Sequence, residues 1–410
     1  MHPTHDIRSS RSGLLDGKKI VLGITGSIAA VECVKLAREL VRHGADVHAV
    51  MTPRACEIVG PYAIEFGTGN QVITELTGAV EHVSLCGDVE GRADLILVAP
   101  CTANTLGKMV CGIDDSPVTT FLTTGIGTGI PVLVVPAMHN TMYEHPKVRE
   151  NIKTAGEMGV RFVDPVFEEK KAKMATVPRI VEEVIRLLGG GSMAGERVLV
   201  VTGATREPVD DMRFLTNRAT GRTGVSLAVQ AWRRGADVLL MAGENVCDIP
   251  SHIEQMRFRS TRDLLRKVEI LSNEWGAPSV AYFSAGISDY APVKMEGKMP
   301  SGEKDMKLDL EPTPKVIERF RKLFQDTFLV GYKAESLGDS TELLKRAFRR
   351  LKEVGMDGVV ANDLSDVTEN SNQIFFLTPS KEAFKVRGSK DEIASFILEK
   401  TMDLKGKEHI

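Results

Sequence analysis

At 410 residues the chain exceeds the usual ceiling for one hydrophobic core, so two domains are expected. Apolar residues make up 42% and charged residues 26%, which is the composition of a folded protein and excludes a disordered one. The formal net charge of -3 provides no bulk attraction for nucleic acid or an anionic membrane, and no apolar run reaches the roughly 18 residues that span a bilayer.

The first segment, Met1 to Ser12, is polar and carries His2, His5, Arg8 and Arg11. It lacks the apolar core of a secretory signal, so a cytoplasmic location is expected. Six cysteines (Cys33, Cys56, Cys86, Cys101, Cys111 and Cys247) show no C-x-x-C spacing, and no Cys/His cluster has zinc-ligand spacing. Most of them read as reduced core thiols.

Short β-branched runs then alternate with helix-length segments. In the first half they are Lys19–Ile24, Asp46–Met51, Leu95–Ala99 and Pro131–Val135. In the second half they are Arg197–Thr202, Asp237–Ala242, Ser279–Ser284, Thr327–Gly331, Asp357–Ala361 and Gln373–Leu377. Near-continuous apolar strands between amphipathic helices predict parallel sheets covered on both faces. Between the halves, four glycines in Gly189–Gly195 read as a linker, because glycine is costly inside a helix or strand. Both halves open with an apolar strand and Thr-Gly (Thr25-Gly26, Thr202-Gly203). The expected fold is α/β: two tandem doubly wound, Rossmann-like domains over residues 1–188 and 196–410, joined by residues 189–195.

In the first domain, a small-residue turn after Lys19–Ile24 lets backbone N–H groups and a hydroxyl approach a phosphate. A tight turn that binds nothing gives the same string, and the loop is not G-x-G-x-x-G. Three further strand ends carry Thr52, then Thr102 to Thr105, then Met138 to Met142, at the edge where open α/β sheets bind ligands. Together Gly26-Ser27-Ile28-Ala29-Ala30, Pro100-x-x-Ala103-Asn104-Thr105, Pro136-Ala137-Met138 and Glu81-His82-Val83-Ser84-Leu85 resemble the flavin-dependent cysteine decarboxylases, over about Lys18 to Val163.

That resemblance implies a flavodoxin-like flavoprotein domain. FMN would lie across Gly26, Ser27, Ile28, Thr52, Thr102, Asn104, Thr105 and Met138, with Asn104, His139 and Asn140 toward substrate. His82 would be the base that initiates oxidation of a cysteinyl thiol; a packed, satisfied histidine is the bland alternative, as helix capping is for Asn104. Two departures stand out. His139 occupies the place of the family's Asn, and Asp164 to Met174 contains no counterpart of its flap cysteine. The sequence resembles the archaeal branch of the family, which is expected to share both changes. Non-catalytic flavin-binding regulators and flavin prenyltransferases are the rival relatives.

In the second domain, about 20 residues separate the strand Arg197–Thr202 from the next helix, a length more typical of functional loops. Seven ordered motifs resemble phosphopantothenate–cysteine ligases over about Glu196 to Phe376. They begin at Thr202, Thr216, Ser284, Gly297, Pro312, Val330 and Val360. The resemblance implies activation of a carboxylate by CTP, with Mg2+, to an acyl-cytidylate that L-cysteine then attacks. Asn217 would contact the acyl-cytidylate, and Lys298, in a Gly/Lys/Pro/Ser stretch read as a mobile lid, would neutralise developing charge. Phe283, Ser284, Ala285 and Asp289 would line the nucleotide pocket, with Pro314, Lys315, Val316, Ile317 and Tyr332 around base and ribose and Arg350 on the triphosphate. A solvated lysine and a solvated basic helix face are the plain alternatives for Lys298 and Arg350.

Ligation of 4'-phosphopantothenate to cysteine makes the decarboxylase's substrate, so the two resemblances support each other as one bifunctional coenzyme A biosynthesis enzyme. Trimeric flavin domains and dimeric ligase domains in these families imply a homo-oligomer such as a dodecamer. Spacing alone does not choose CTP over ATP, nor name the Mg2+ ligands.

Overall fold

The apolar runs become the centres of two sheets, one in each of two compact units, Met1–Gly190 and Gly191–Ile410. The structure is a computed structural model and describes residues 2–298, 307–336, 339–363 and 372–407.

In the first unit, β1 (Lys19–Ile24), β2 (Asp46–Met51), β3 (Leu95–Cys101), β4 (Val132–Pro136) and β6 (Arg161–Phe162) form one parallel sheet in the order β2-β1-β3-β4-β6. This is the flavodoxin-like winding, whose switch point lies between β1 and β3. Strand alternation divides the core in two. Ile20, Leu22 and Ile24 pack on one face with Leu36 and Leu40 of helix Cys33–Arg42, while Val21, Ile96 and Val98 face Leu106 and Phe121 on the other. Each leucine fully buried in this way contributes about 1.5–3 kcal/mol. A small antiparallel sheet, ordered β5-β8-β7, joins β5 (Met138–His139) to the hairpin β7 (Val166–Glu168) and β8 (Lys171–Lys173).

In the second unit, an eight-stranded sheet is built from β9 (Arg197–Thr202), β12 (Asp237–Gly243), β13 (Glu254–Phe258), β14 (Val280–Phe283), β17 (Phe328–Glu335), β18 (Gly358–Asp363), β19 (Asn372–Leu377) and β20 (Ala383–Gly388). Its order, β13-β12-β9-β14-β17-β18-β19-β20, is six parallel strands in Rossmann sequence followed by two antiparallel ones. Two short pairs stand apart: β10 (Arg206–Pro208) with β11 (Phe214–Thr216), and β15 (Tyr290–Pro292) with β16 (Leu310–Pro312). The long loop after β9 is therefore a hairpin. Met193 is fully buried in this unit's core and its N–H donates to Arg234 O, so the second half of the glycine-rich stretch packs and does not swing as a free tether.

Candidate functional site

In the first unit, the carboxyl ends of β1 and β3 are clamped by Thr25, which is buried; its Oγ1 donates to Pro100 O (2.8 Å) and accepts from Thr102 N (3.0 Å). Hydroxyls just beyond the strands cap helices. Thr52 Oγ1 accepts from Ala55 N (3.3 Å), and Thr102 Oγ1 accepts from Thr105 N (3.3 Å). Thr102 is thus the cap of helix Ala103–Cys111, and Asn104 sits exposed in its first turn.

Gly26, Thr52, Thr102, Asn104 and Thr105 converge on one cavity of about 450 Å3, joined by Lys108, whose ammonium lies 2.7 Å from an Asp115 carboxylate oxygen. A Cβ on Gly26 would fall 2.5 Å from Arg54 Cβ, so only glycine leaves this turn open. Ser27, Ile28, Met138 and His139 line a second cavity of about 760 Å3, walled by Lys171 to Pro178. β5 pairs with β8 there, His139 opposite Lys171. His139 caps its own turn: Nδ1 accepts from Thr141 N (3.4 Å) and lies 2.9 Å from Thr141 Oγ1. Asn140 donates its backbone N–H to Lys170 O (3.2 Å), and its Oδ1 is buried without a hydrogen-bond partner. Small residues, hydroxyls and helix starts around an apolar chamber fit a flavin phosphate and ring.

His82 stands apart from this group. It lies on helix Glu81–Cys86 with its ring 6.5 Å from Phe121, edge to face, and its Nδ1 buried without a partner. It lines neither cavity.

The second unit gathers its residues more tightly. Phe283, Ala285, Asp289, Pro314 to Ile317 and Arg350 line one cavity of about 180 Å3 at the carboxyl edge of β14 and β17. Phe283 rests on Phe320 of helix Val316–Leu323, with ring centroids 5.0 Å apart. Lys315 pairs with Asp289, and the Arg350 guanidinium donates to Glu318 Oε1 (3.0 Å). Tyr332 borders the cavity from β17, but strand alternation packs its ring with Val330 and Phe376 in the opposite core, with the hydroxyl buried. Burial raises that phenol well above the ordinary tyrosine range.

Ser284 does not line this cavity; its Oγ donates to Val201 O (3.1 Å) and would touch a Cβ placed on Gly224. Asn217 is exposed, and its side chain is fixed, Nδ2 donating to Gly286 O (2.6 Å) and Oδ1 accepting from Ala219 N (3.0 Å). Lys298 is exposed and follows a pinned segment: Gly297 N donates to Asp211 Oδ2 (3.1 Å) and Lys294 pairs with Asp211 (2.7 Å). Met299 to Gly302, the rest of its motif, lie outside the described residues. Among the described residues, no group of three or more His, Cys, Asp or Glu is arranged to hold a metal ion, and no helix is long and apolar enough to cross a membrane.

Two family models match the chain. Residues 8–189 match Flavoprotein, and residues 193–404 match the DNA/pantothenate metabolism flavoprotein C-terminal domain. Among similar proteins is the coenzyme A biosynthesis bifunctional protein CoaBC of Thermococcus kodakarensis, 46% identical over 397 residues, covering 96% of this chain and 97% of the relative. The protein of the same name from Methanocaldococcus jannaschii is 36% identical over 406 residues, covering 98% of each. A crystal structure of the DNA/pantothenate metabolism flavoprotein from Streptococcus pneumoniae matches at 24% identity and a TM-score of 0.46, over 50% of this chain and 98% of that one. The chain belongs to the family of coenzyme A biosynthesis bifunctional proteins.

Proposed function

We propose that the second unit ligates 4'-phosphopantothenate to L-cysteine with CTP, and that the first decarboxylates the product, 4'-phosphopantothenoylcysteine, to 4'-phosphopantetheine. The observation that carries this reading is that loops from four strand ends meet on one cavity in the first unit, through Gly26, Thr52, Thr102 and Met142, and that three of the seven motifs meet with Arg350 on one cavity in the second. The decarboxylase spans residues 1–188 and the ligase residues 196–410.

In the ligase, the pantothenate carboxylate attacks the α-phosphorus of CTP and pyrophosphate leaves. Cysteine's amine then attacks the acyl carbon and CMP leaves. The chain's part is to position and neutralise. Asn217 holds the acyl-cytidylate beside Gly286, Arg350 exchanges Glu318 for triphosphate oxygens, and Lys298 closes on the developing charge. Mg2+ brought in with the nucleotide would add to the neutralisation of phosphate charge that Arg350 and Lys298 supply.

In the decarboxylase, Gly26, Ser27, Ile28, Thr52, Thr102, Thr105 and Met138 hold FMN, while Asn104 and His139, with Asn140 next to it, face the substrate. Bound FMN supplies a reversible store for the electron pair that makes CO2 loss possible. His82 takes the thiol proton. That it lines neither cavity within one chain favours a second reading, a first unit that binds flavin without releasing CO2. The protein works in the cytoplasm as a homo-oligomer, a dodecamer on the trimer-and-dimer pattern; free thiols at all six cysteines suit that compartment.

The test separates the two activities. His82→Asn is expected to abolish CO2 release and keep pyrophosphate formation, and Lys298→Gln to do the reverse with supplied 4'-phosphopantothenoylcysteine. A variant that behaves like its parent removes the role given to that residue.

A further inference from the structure

Thr205 follows β9 by three residues and is completely buried, yet every polar atom it carries is hydrogen-bonded to one of two loops of the ligase site. Its N–H donates to Gly286 O (3.1 Å), and its carbonyl accepts from Thr216 Oγ1 (2.7 Å). Its hydroxyl accepts from Ser288 N (3.1 Å) and donates to Ser288 Oγ (3.1 Å). One residue thereby ties the Thr216–Asn217 turn to the Gly286–Asp289 loop.

The ties reach the functional groups directly. The Gly286 carbonyl that Thr205 fixes is the same one that accepts from Asn217 Nδ2 (2.6 Å). Beyond Ser288, the backbone carbonyl of Asp289 accepts from Thr313 N (3.0 Å), beside Pro314 and the Lys315–Asp289 ion pair. Behind Thr205, the buried Glu207 carboxylate accepts from Thr261 N (2.9 Å) and Thr261 Oγ1 (2.6 Å). That carboxylate sits at the start of helix Thr261–Glu274, where backbone N–H groups favour a negative charge. Thr261 Oγ1 lies 3.5 Å from Thr205 Oγ1, so the hydroxyl is backed by a fixed polar wall.

We infer that Thr205 is a positioning residue for the ligation: without touching substrate, its hydroxyl sets Asn217 and the Ser288–Asp289 loop in mutual register. The inference rests on the ligase reading of the second unit. A buried network of this kind acts as a unit, since an orphaned Ser288 N–H must find a new partner or move the loop. Displacements of about 1 Å at a site that works by positioning cost about a hundredfold in rate.

The experiment uses the full chain with 4'-phosphopantothenate, L-cysteine, Mg2+ and CTP or ATP, following pyrophosphate. Thr205→Val, which keeps the shape and removes the hydroxyl, is expected to lower kcat about 10–100-fold with KM for the nucleotide near the parent's. Thr205→Ser, which restores the hydroxyl, is expected to recover most of the loss. Thr216→Val lies on an exposed strand and breaks only the bond to the Thr205 carbonyl; a smaller fall in kcat is expected there, and it stands in if Thr205→Val does not fold. A folded Thr205→Val with parental kcat, a Thr205→Ser as impaired as the valine variant, or a Thr216→Val with unchanged kcat overturns the inference. A parent that forms no pyrophosphate with either nucleotide removes the ligase reading instead.

Discussion

Phe320→Ala tests whether the cavity beside Phe283, proposed above for the nucleotide, is supported as described. Phe320 is fully buried on helix Val316–Leu323, between Phe283 (ring centroids 5.0 Å apart) and Phe324 (4.8 Å). The helix start supplies one wall of the cavity and Phe283 supplies the other, so this ring is the wedge that sets their spacing. Truncating a fully buried phenylalanine costs about 3–5 kcal/mol through lost transfer energy and the void left behind. The lost edge-to-face contact with Phe283 is worth about 0.5–1.5 kcal/mol of such a total. For a unit of this size each kcal/mol lowers the melting temperature by about 2–4 °C, so a fall of about 6–20 °C is expected. The assay is calorimetry on the full chain, with the flavin-bound transition of the first unit as internal reference. Nucleotide KM is expected to rise in the same variant, because the two walls relax toward each other. A variant that melts within about 2 °C of the parent refutes the packing account.

Three further outcomes follow from the same structure. Gly26→Ala places a Cβ against Arg54 Cβ at 2.5 Å; an overpacking cost of about 1–3 kcal/mol carried by the flavin-binding conformation corresponds to a roughly 5–150-fold loss of FMN affinity, measured by quenching of flavin fluorescence. Burial pushes the Cys33, Cys86 and Cys101 thiols up to about 12, whereas Cys111 and Cys247 are exposed; a thiol reagent at mildly alkaline pH is expected to label the exposed pair first and the buried three only after unfolding. A hydrogen bond from His48 (2.9 Å), with Asn70 and Arg8 assisting, holds the Asp46 carboxyl well below the usual aspartate range. A lowered folded pKa gives stability that is present above the ordinary value of about 3.9 and lost as pH falls through the folded value. Denaturant midpoints recorded on acidification below about pH 4 are therefore expected to fall less steeply in Asp46→Asn than in the parent.

The sheet interiors were legible because burial on both faces demands unbroken apolar strands: Lys19–Ile24, Asp46–Met51 and Arg197–Thr202 are strands at the expected residues. Edge elements carry no such demand. Glu254–Phe258 is half polar and mostly exposed, and the three-residue strands of the Val166–Lys173 hairpin are too short for any period to register. Site residues on strand ends were readable as motifs, and most fall on the cavities. Their side-chain directions were not readable. Ser284 turns under Gly224, and the Tyr332 ring follows strand alternation into the far core. Thr205 and Glu207 were visible only as polar letters in a loop, because a buried hydrogen-bond partner 54 to 83 residues away leaves no local signature. Lys108 and Asp115, an ion pair facing the cavity proposed for flavin, were missed for the same reason.

The most direct measurement follows pyrophosphate and CO2 together from the FMN-loaded chain given 4'-phosphopantothenate, L-cysteine, Mg2+ and CTP. The account predicts both products, with CO2 appearing after a lag and then matching pyrophosphate mole for mole. Pyrophosphate with no CO2 at any time, although flavin is bound, contradicts the role given to the first unit. CO2 from supplied 4'-phosphopantothenoylcysteine with no pyrophosphate from either CTP or ATP contradicts the role given to the second.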